Sequence, residues 1–400
     1  MIKGGITAPR GFKASGISCG IKEEGPDLAL IYSDVQAASA ALFTTNKVKA
    51  APVLISQQHI SDGRIQAIVA NSGMANCCTG KQGLKDASLM AEWTANSLGG
   101  IPKESVLVAS TGKIGSQLPM EKIGPGIKEA AANLSRDGGK DAARAIMTTD
   151  TRPKEAALEV ELFGRKVTLG GIAKGAGMIH PEMATMLAFI TTDALISPPL
   201  LKKALLHSVE RSFNMITVDG DMSTNDMAAI LANGLAAEKG EEITYPSKEF
   251  DLFQAALDKL SIDLAKQIPA DGEGATKLLE VKVTGALIKE DAGRFARAVA
   301  GSNLVKAAFY GCDPNVGRIM AALGQAGEEM EPEEVEIYFG DQLMFRNGCG
   351  ATFDPAKVAS IMEQKEIRID IDLNLGEAKA TAWGCDLSPE YVQINAHYRT

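Results

Sequence analysis

The chain has 400 residues, 45% of them hydrophobic, and its 41 Lys+Arg against 50 Asp+Glu give a formal net charge of −9. That charge argues against nucleic-acid binding by bulk attraction, and the apolar fraction against disorder. No apolar run approaches the roughly 20 residues of a membrane span, and the first residues lack a secretion signal, so a cytoplasmic α/β chain of two units is expected.

The apolar runs at 28–32, 65–70 and 106–109 read as short buried strands, each followed by a polar or glycine-bearing turn. Between the second and third, Ala87, Met90, Ala91, Thr94 and Leu98 recur at helical spacing, which predicts a helix over 84–98. Residues 158–162 and 166–170 flank Gly164 as a hairpin. Residues 170–177 read as a glycine-rich loop holding Lys174, and an apolar strand closes the segment by 190. Amphipathic helices are predicted over 198–213 and 250–268, with a short helix over 227–231 capped by Thr224 or Asn225. A second hairpin is expected at 335–339 and 342–346. Ile367, Ile369, Ile371, Leu373 and Leu375 alternate with polar residues, as on a half-exposed strand. The change in texture places the boundary between the units near Gly285, giving 1–285 and 286–400.

The six cysteines lack CxxC pairs and read as reduced thiols, mostly buried. Cys77 and Cys78 are adjacent, but neighbours on a strand point apart and bridge badly. The 219–226 stretch offers alternating oxygens like a calcium loop, yet Thr224 and Ile230 stand where such a loop needs glycine and glutamate, so no metal site is expected. These side chains are expected to brace the loop. Residues 170–177 fail as a phosphate loop because a strand, not a helix, follows them.

Chemistry concentrates around Thr185, a lone hydroxyl between Ala184 and Met186. A threonine so placed can attack the preceding carbonyl, shift the acyl group from nitrogen to oxygen, and emerge at a new N-terminus after hydrolysis of the ester. Its α-amine, with a pKa near about 8, then serves as the base that its hydroxyl needs. The four histidines offer no triad arrangement.

The segment Lys174-Gly-Ala-Gly-Met-Ile-His-Pro-Glu-Met-Ala-Thr-Met-Leu187 resembles the self-cleaving motif of the ornithine acetyltransferase family, also called glutamate N-acetyltransferases. Further segments match its patterns in order: Ser110-Thr111-Gly112, Thr148-Thr149-Asp150-Thr151, Ser212-Phe213-Asn214, 217–221, 223–226, 271–277, Asp313-Pro314-Asn315 and Gly317-Arg318. The resemblance implies cleavage between Ala184 and Thr185, with Thr185 as nucleophile and Thr111 and Gly112 as oxyanion hole. It also implies substrate contacts at Thr148, Lys174, Thr185, Glu273, Asn395 and Thr400. Lys174 suits an α-carboxylate and Glu273 an ammonium group, and Tyr391, Val392 and Ile394 are expected to anchor the tail.

The implied fold is a layered α/β sandwich of the self-cleaving aminopeptidase and ornithine acetyltransferase type, with a smaller C-terminal α/β domain. The implied reaction moves an acetyl group from N2-acetyl-L-ornithine to L-glutamate by double displacement. It needs no cofactor or metal, with acetyl-CoA as a further donor substrate, and the cleaved chains form an α2β2 heterotetramer. The rival reading is a self-cleaving aminopeptidase or amidase. Val316 and Met222 depart from the family's usual tryptophan and threonine, and are expected to alter packing beside the site.

Overall fold

A computed structural model describes residues 1–180 and 186–397. In chain order its first part comprises β1 (Phe12–Ile17), β2 (Leu28–Phe43), α1 (Ala51–His59), β3 (Arg64–Asn71), α2 (Gly80–Ser97), β4 (Val106–Ser110), α3 (Met120–Ala132) and α4 (Gly139–Ala145). There follow β5 (Lys154–Leu162), β6 (Arg165–Lys174), β7 (Leu187–Thr192), α5 (Pro198–Glu210), β8 (Met227–Ala232) and α6 (Lys248–Gln267). The remainder is β9 (Leu278–Ala286), α7 (Lys289–Gly301), α8 (Asn303–Tyr310), α9 (Val316–Gln325), β10 (Glu336–Phe339), β11 (Gln342–Arg346), β12 (Cys349–Gly350), α10 (Pro355–Met362), β13 (Glu366–Asp372), β14 (Ala378–Cys385) and α11 (Pro389–His397).

Strands β1 to β8 form one sheet in the order β4-β3-β2-β8-β7-β6-β5, with β1 on β2; β9 to β14 form a second in the order β12-β11-β10-β13-β9-β14. The larger sheet is buried on both faces. On β7, Leu187 and Phe189 feed a core shared with Ile31, Ile68 and α4, whereas Ala188 and Ile190 face α5 and α6. Alternate side chains of a strand point to opposite faces, so an uninterrupted apolar run requires a covering layer on each side. The result is a layered α/β sandwich. Ile190, Leu264, Leu279, Phe295 and Ile369 belong to one continuous core, so the second sheet is packed against the first.

Several expectations shift. The strand at 28–32 extends to Phe43; its pairing with β3 is irregular between Tyr32 and Ala37, and from Ala38 onward it pairs with β8. Residues 227–231 are strand β8, not a helix: all six of its residues are buried between β2 and β7, and periodicity cannot separate a wholly buried strand from a helix. Gly170 and Gly171 lie inside β6, not in a loop. A Cβ on Gly170 would fall 2.0 Å from the Gly5 carbonyl oxygen, so glycine there admits the N-terminal segment. Gly285 lies within β9, so the change of sheet comes earlier, between Gln267 and Leu278. Ile367, Ile369 and Ile371 are buried and their neighbours outward, as the alternation implied, but β13 ends at Asp372.

Only Cys77 and Cys385 are buried, while Cys78, Cys312 and Cys349 are exposed, contrary to the expectation of mostly buried thiols. Among the described residues no helix is long and apolar enough to cross a membrane.

Candidate active site

A cavity of about 100 Å³ is lined by Thr111, Gly112, Thr148, Lys174, Glu273 and Asn395, together with Met186, Leu187 and Asp226. Six of the predicted site residues thus meet from five separate stretches of chain. Ala184, Thr185 and Thr400 lie outside the described residues.

Thr111 and Gly112 form the turn after β4. Thr111 N–H donates to Asn71 O at 3.0 Å and Lys113 N–H to Gly73 O at 3.1 Å, whereas the intervening Gly112 N–H takes no backbone carbonyl among the described residues. Among the described residues this donor at the cavity wall has no acceptor. Asn225 locks this turn: its Nδ2 donates to Ala75 O at 2.6 Å and to Ser110 O at 2.8 Å. Gly112 has φ +121°, and a Cβ there would lie 2.4 Å from the Gly73 carbonyl carbon. Gly112→Ala is therefore expected to displace the turn, destabilise the chain by about 2 kcal/mol or more, and reduce activity at least tenfold. A melting point and rate equal to the parent's would contradict this account.

Lys174 is the last residue of β6 and only 7% exposed. Its Nζ donates to Thr148 Oγ1 at 2.8 Å and Thr111 Oγ1 at 3.3 Å, with Asp150 Oδ2 at 3.9 Å. Burial lowers its pKa, and the Asp150 carboxylate opposes that shift. Because the Thr111 oxygen accepts from Lys174, its own O–H is left to donate elsewhere.

Behind this pair lies a network that the sequence did not single out. Lys154 is fully buried, with its Nζ 2.6 Å from both Asp150 Oδ1 and Asp271 Oδ2. Asp150 also accepts N–H bonds from Thr148 and Gly175, and Asp271 accepts from the amide and hydroxyl of Thr151. Burial alone would raise the Asp150 carboxyl, but Lys174 and Lys154 outweigh it and hold it below the ordinary range. The network fastens the 148–154 segment to the 271–273 turn and so places Glu273. Glu273 N–H donates to Ala176 O at 2.9 Å, and its Oε2 accepts from Asn395 Nδ2 at 2.7 Å. The only hint in sequence was the aspartates within the two matched segments.

Of the expected anchors Tyr391 does hold the tail, but by its hydroxyl, alongside other polar groups. Val392 is 65% exposed and α11 buries none of its residues. Instead Tyr391 Oη donates to Asp219 Oδ2 at 3.3 Å, Ser388 Oγ to Gly274 O at 2.6 Å, and Asn395 to Glu273.

Asp219 braces its surroundings by accepting the N–H groups of Met178 and Ile179 at 2.6 and 2.9 Å. Val218 N–H and the Thr217 hydroxyl donate to Ile179 O, while Met227 N–H donates to Met186 O at 3.0 Å. Both flanks of the predicted cleavage point are thereby pinned. Thr224 and Asn225 serve this loop and the Thr111-Gly112 turn and cap no helix. Met222 adjoins Ser223 at the cavity, but Val316 begins α9 and packs against the core instead of lining the site.

Asp226, also missed in sequence, is 3% exposed, and its Oδ2 accepts no hydrogen bond from a described residue. Burial pushes its carboxyl well above the usual range, against the pull of Ser223, Lys174 and Thr44. An acid whose folded-state pKa exceeds its unfolded value holds its proton more tightly when folded. Stability then falls as pH rises from about 4 through the folded-state pKa. Asp226→Asn is expected to raise the melting point at pH 8 and leave it unchanged near pH 4. An equal shift at both would refute this reading.

The family model for ArgJ matches residues 13–400. The chain belongs to the ArgJ family. Two relatives, both named arginine biosynthesis bifunctional protein ArgJ, agree with it over full length. That of Symbiobacterium thermophilum is 53% identical over 100% of this chain and 99% of its own, and that of Caldanaerobacter subterraneus subsp. tengcongensis is 50% identical over 100% of both. A solved chain of the ArgJ protein from Bacillus halodurans is 44% identical with a TM-score of 0.52; it is matched over 100% of its length by 54% of this chain. The cavity is therefore the candidate active site of an ArgJ-family enzyme.

Proposed function

We propose that this ArgJ chain cleaves itself between Ala184 and Thr185 and then transfers the acetyl group of N2-acetyl-L-ornithine to L-glutamate. The observation that carries the reading is convergence. The Gly112 N–H, without an acceptor among the described residues, the Thr111 hydroxyl and the Lys174 ammonium line a cavity whose wall includes Met186, the residue joined directly to Thr185.

In this scheme the Thr185 α-amine takes the hydroxyl proton, and the oxygen attacks the acetyl carbonyl. Gly112 N–H and Thr111 O–H stabilise the tetrahedral oxyanion. Ornithine leaves with a proton on its released nitrogen, and an acetyl-threonine ester remains. Glutamate enters the same cavity and its amine takes the acetyl group. The two substrates share an α-carboxylate, which Lys174 with Thr148 is suited to hold, while Glu273, held by Asn395, suits the side-chain ammonium of ornithine. Acetyl-CoA is a second donor that loads the same threonine.

The arrangement of strands supports cleavage without separation. Strands β1–β6 precede the linkage and β7–β14 follow it, yet β7 and β8 lie between β6 and β2 in one sheet. The two pieces share that sheet, and two such pairs form the α2β2 assembly. The 54% of this chain that matches the whole solved Bacillus halodurans chain is also the share made up by residues 185–400.

The test follows an isotopically labelled acetyl group from acetylornithine. Label on glutamate is expected. Label released as acetate alone would make the enzyme a hydrolase and overturn the reading.

A further inference from the structure

The adjacent cysteines do not point apart. Cys77 and Cys78 lie on the loop between β3 and α2, where Cys78 adopts a left-handed backbone with φ +56°, and their sulfurs face each other at 3.8 Å. Cys77 is buried beneath Val53, Ala75 and Ala50, with its Sγ directed at Val48 O, whereas Cys78 is exposed. The 3.8 Å separation is well beyond a disulfide bond of about 2.05 Å, so these are two free thiols converging on one point. Two soft sulfur donors side by side, one open to solvent, favour a soft, thiophilic centre that binds both.

We propose that Cys77 and Cys78 form a dithiol site for trivalent arsenicals, and that its occupation distorts the turn bearing Thr111 and Gly112. An organoarsonous acid, R–As(OH)2, exchanges its two hydroxyl groups for the two sulfurs. Two As–S bonds form and two As–O bonds break. The hydroxyls leave as two waters with the thiol protons, and arsenic stays trivalent throughout. Cys78 meets the reagent first, and Cys77, already alongside, closes the ring. Burial raises the Cys77 thiol pKa, so ring closure is favoured at the alkaline end of the working range.

The coupling to the site is a short ladder of backbone bonds. Gly115 N–H donates to Cys77 O at 2.9 Å, Ala75 N–H to Lys113 O at 2.9 Å, and Lys113 N–H to Gly73 O at 3.1 Å. Met74 bridges Thr111, and Gln117 Nε2 donates to Thr79 O at 3.1 Å. Residues 73–79 and 111–117 are thus laced together. Drawing both sulfurs onto one atom re-aims the 77–78 peptide, and the strain passes to the turn that presents the Gly112 N–H.

The test uses the folded full chain and phenylarsine oxide, which hydrates to such an acid. Intact-mass measurement is expected to show one phenylarsenic group per chain, less two hydrogens. The adduct should resist excess 2-mercaptoethanol but be removed by 2,3-dimercaptopropanol, as a two-sulfur chelate requires. Cys77→Ser and, at the exposed position, Cys78→Ala should each abolish this resistant adduct, whereas Cys312→Ala and Cys349→Ala retain it. No adduct, an adduct that the monothiol strips, or one that survives in Cys78→Ala refutes the site. The functional arm rests on the acetyl-transfer reading: the arsenical should slow the parent at least tenfold and leave Cys78→Ala at its own untreated rate. A resistant adduct with unchanged turnover refutes the coupling. Failure of the acetyl-transfer reading shows separately, as absence of turnover in untreated enzyme, and leaves the mass measurement intact.

Discussion

Thr185→Ala is expected to yield a single uncut polypeptide of 42.1 kDa with acetyl transfer lowered by roughly three orders of magnitude or more, the scale of losing a covalent nucleophile. Alanine removes the hydroxyl that attacks the Ala184 carbonyl, so the chain stays closed and no α-amine is released to act as base. Thr185→Ser, which keeps the hydroxyl, should still be cut. Its larger piece should begin Ser-Met-Leu-Ala, as the parent's begins Thr-Met-Leu-Ala. Denaturing electrophoresis with N-terminal sequencing reads both results. Two pieces of normal size from the alanine variant would end the mechanism. Retained transfer by its uncut chain would show that the base lies elsewhere.

The second large effect is structural. Lys154→Met leaves the buried carboxylates of Asp150 and Asp271 without the ammonium that separates them, each having been 2.6 Å from it. Removing one partner from a buried ionic group costs about 3–5 kcal/mol, and here the carboxylates would keep only the more distant Lys174, 3.9 Å from Asp150, and Arg152, 4.0 Å from Asp271. A large fall in melting temperature is expected, together with weaker substrate binding as the Glu273 turn loosens. Pairing Lys154→Met with Asp150→Asn removes one stranded charge and should recover part of the loss. A double variant no better than the single one would rule out this electrostatic cause.

The sign of the pH dependence follows from Asp150. Its folded-state pKa is depressed, so its contribution is present above the unfolded value near 4 and is lost as pH falls through the folded-state value. The parent should therefore melt earlier in acid, and Asp150→Asn should lose this dependence while also melting earlier at neutral pH.

The groups proposed to react were legible through the family resemblance, because each sits in a short segment whose residue order is itself distinctive. Thr111-Gly112 follows an apolar strand, Lys174 stands in a glycine-rich run, and Glu273 stands between two glycines. The alternation through Ile371 was equally plain, since one face of β13 is wet and period two marks it. Strand β8 was not legible: with every residue buried, no face is distinguished and the run reads equally well as a helix. Val392 looked like an anchor by type, yet it points to solvent while a tyrosine hydroxyl and an asparagine amide hold the tail.

Sequence alone pointed to the chemistry proposed for this protein, because the segments that resemble the family, the Ala184-Thr185 linkage and the Thr111-Gly112 turn among them, are local features of covalent structure. Tertiary structure decided what holds those groups and what surrounds them. Lys154, Asp150 and Asp271 lie up to 121 positions apart, and nothing local marks any of them as buried. Their charges interact strongly only because the fold removes water from all three together, and the two neighbouring thiols converge only because a left-handed residue turns the chain between them.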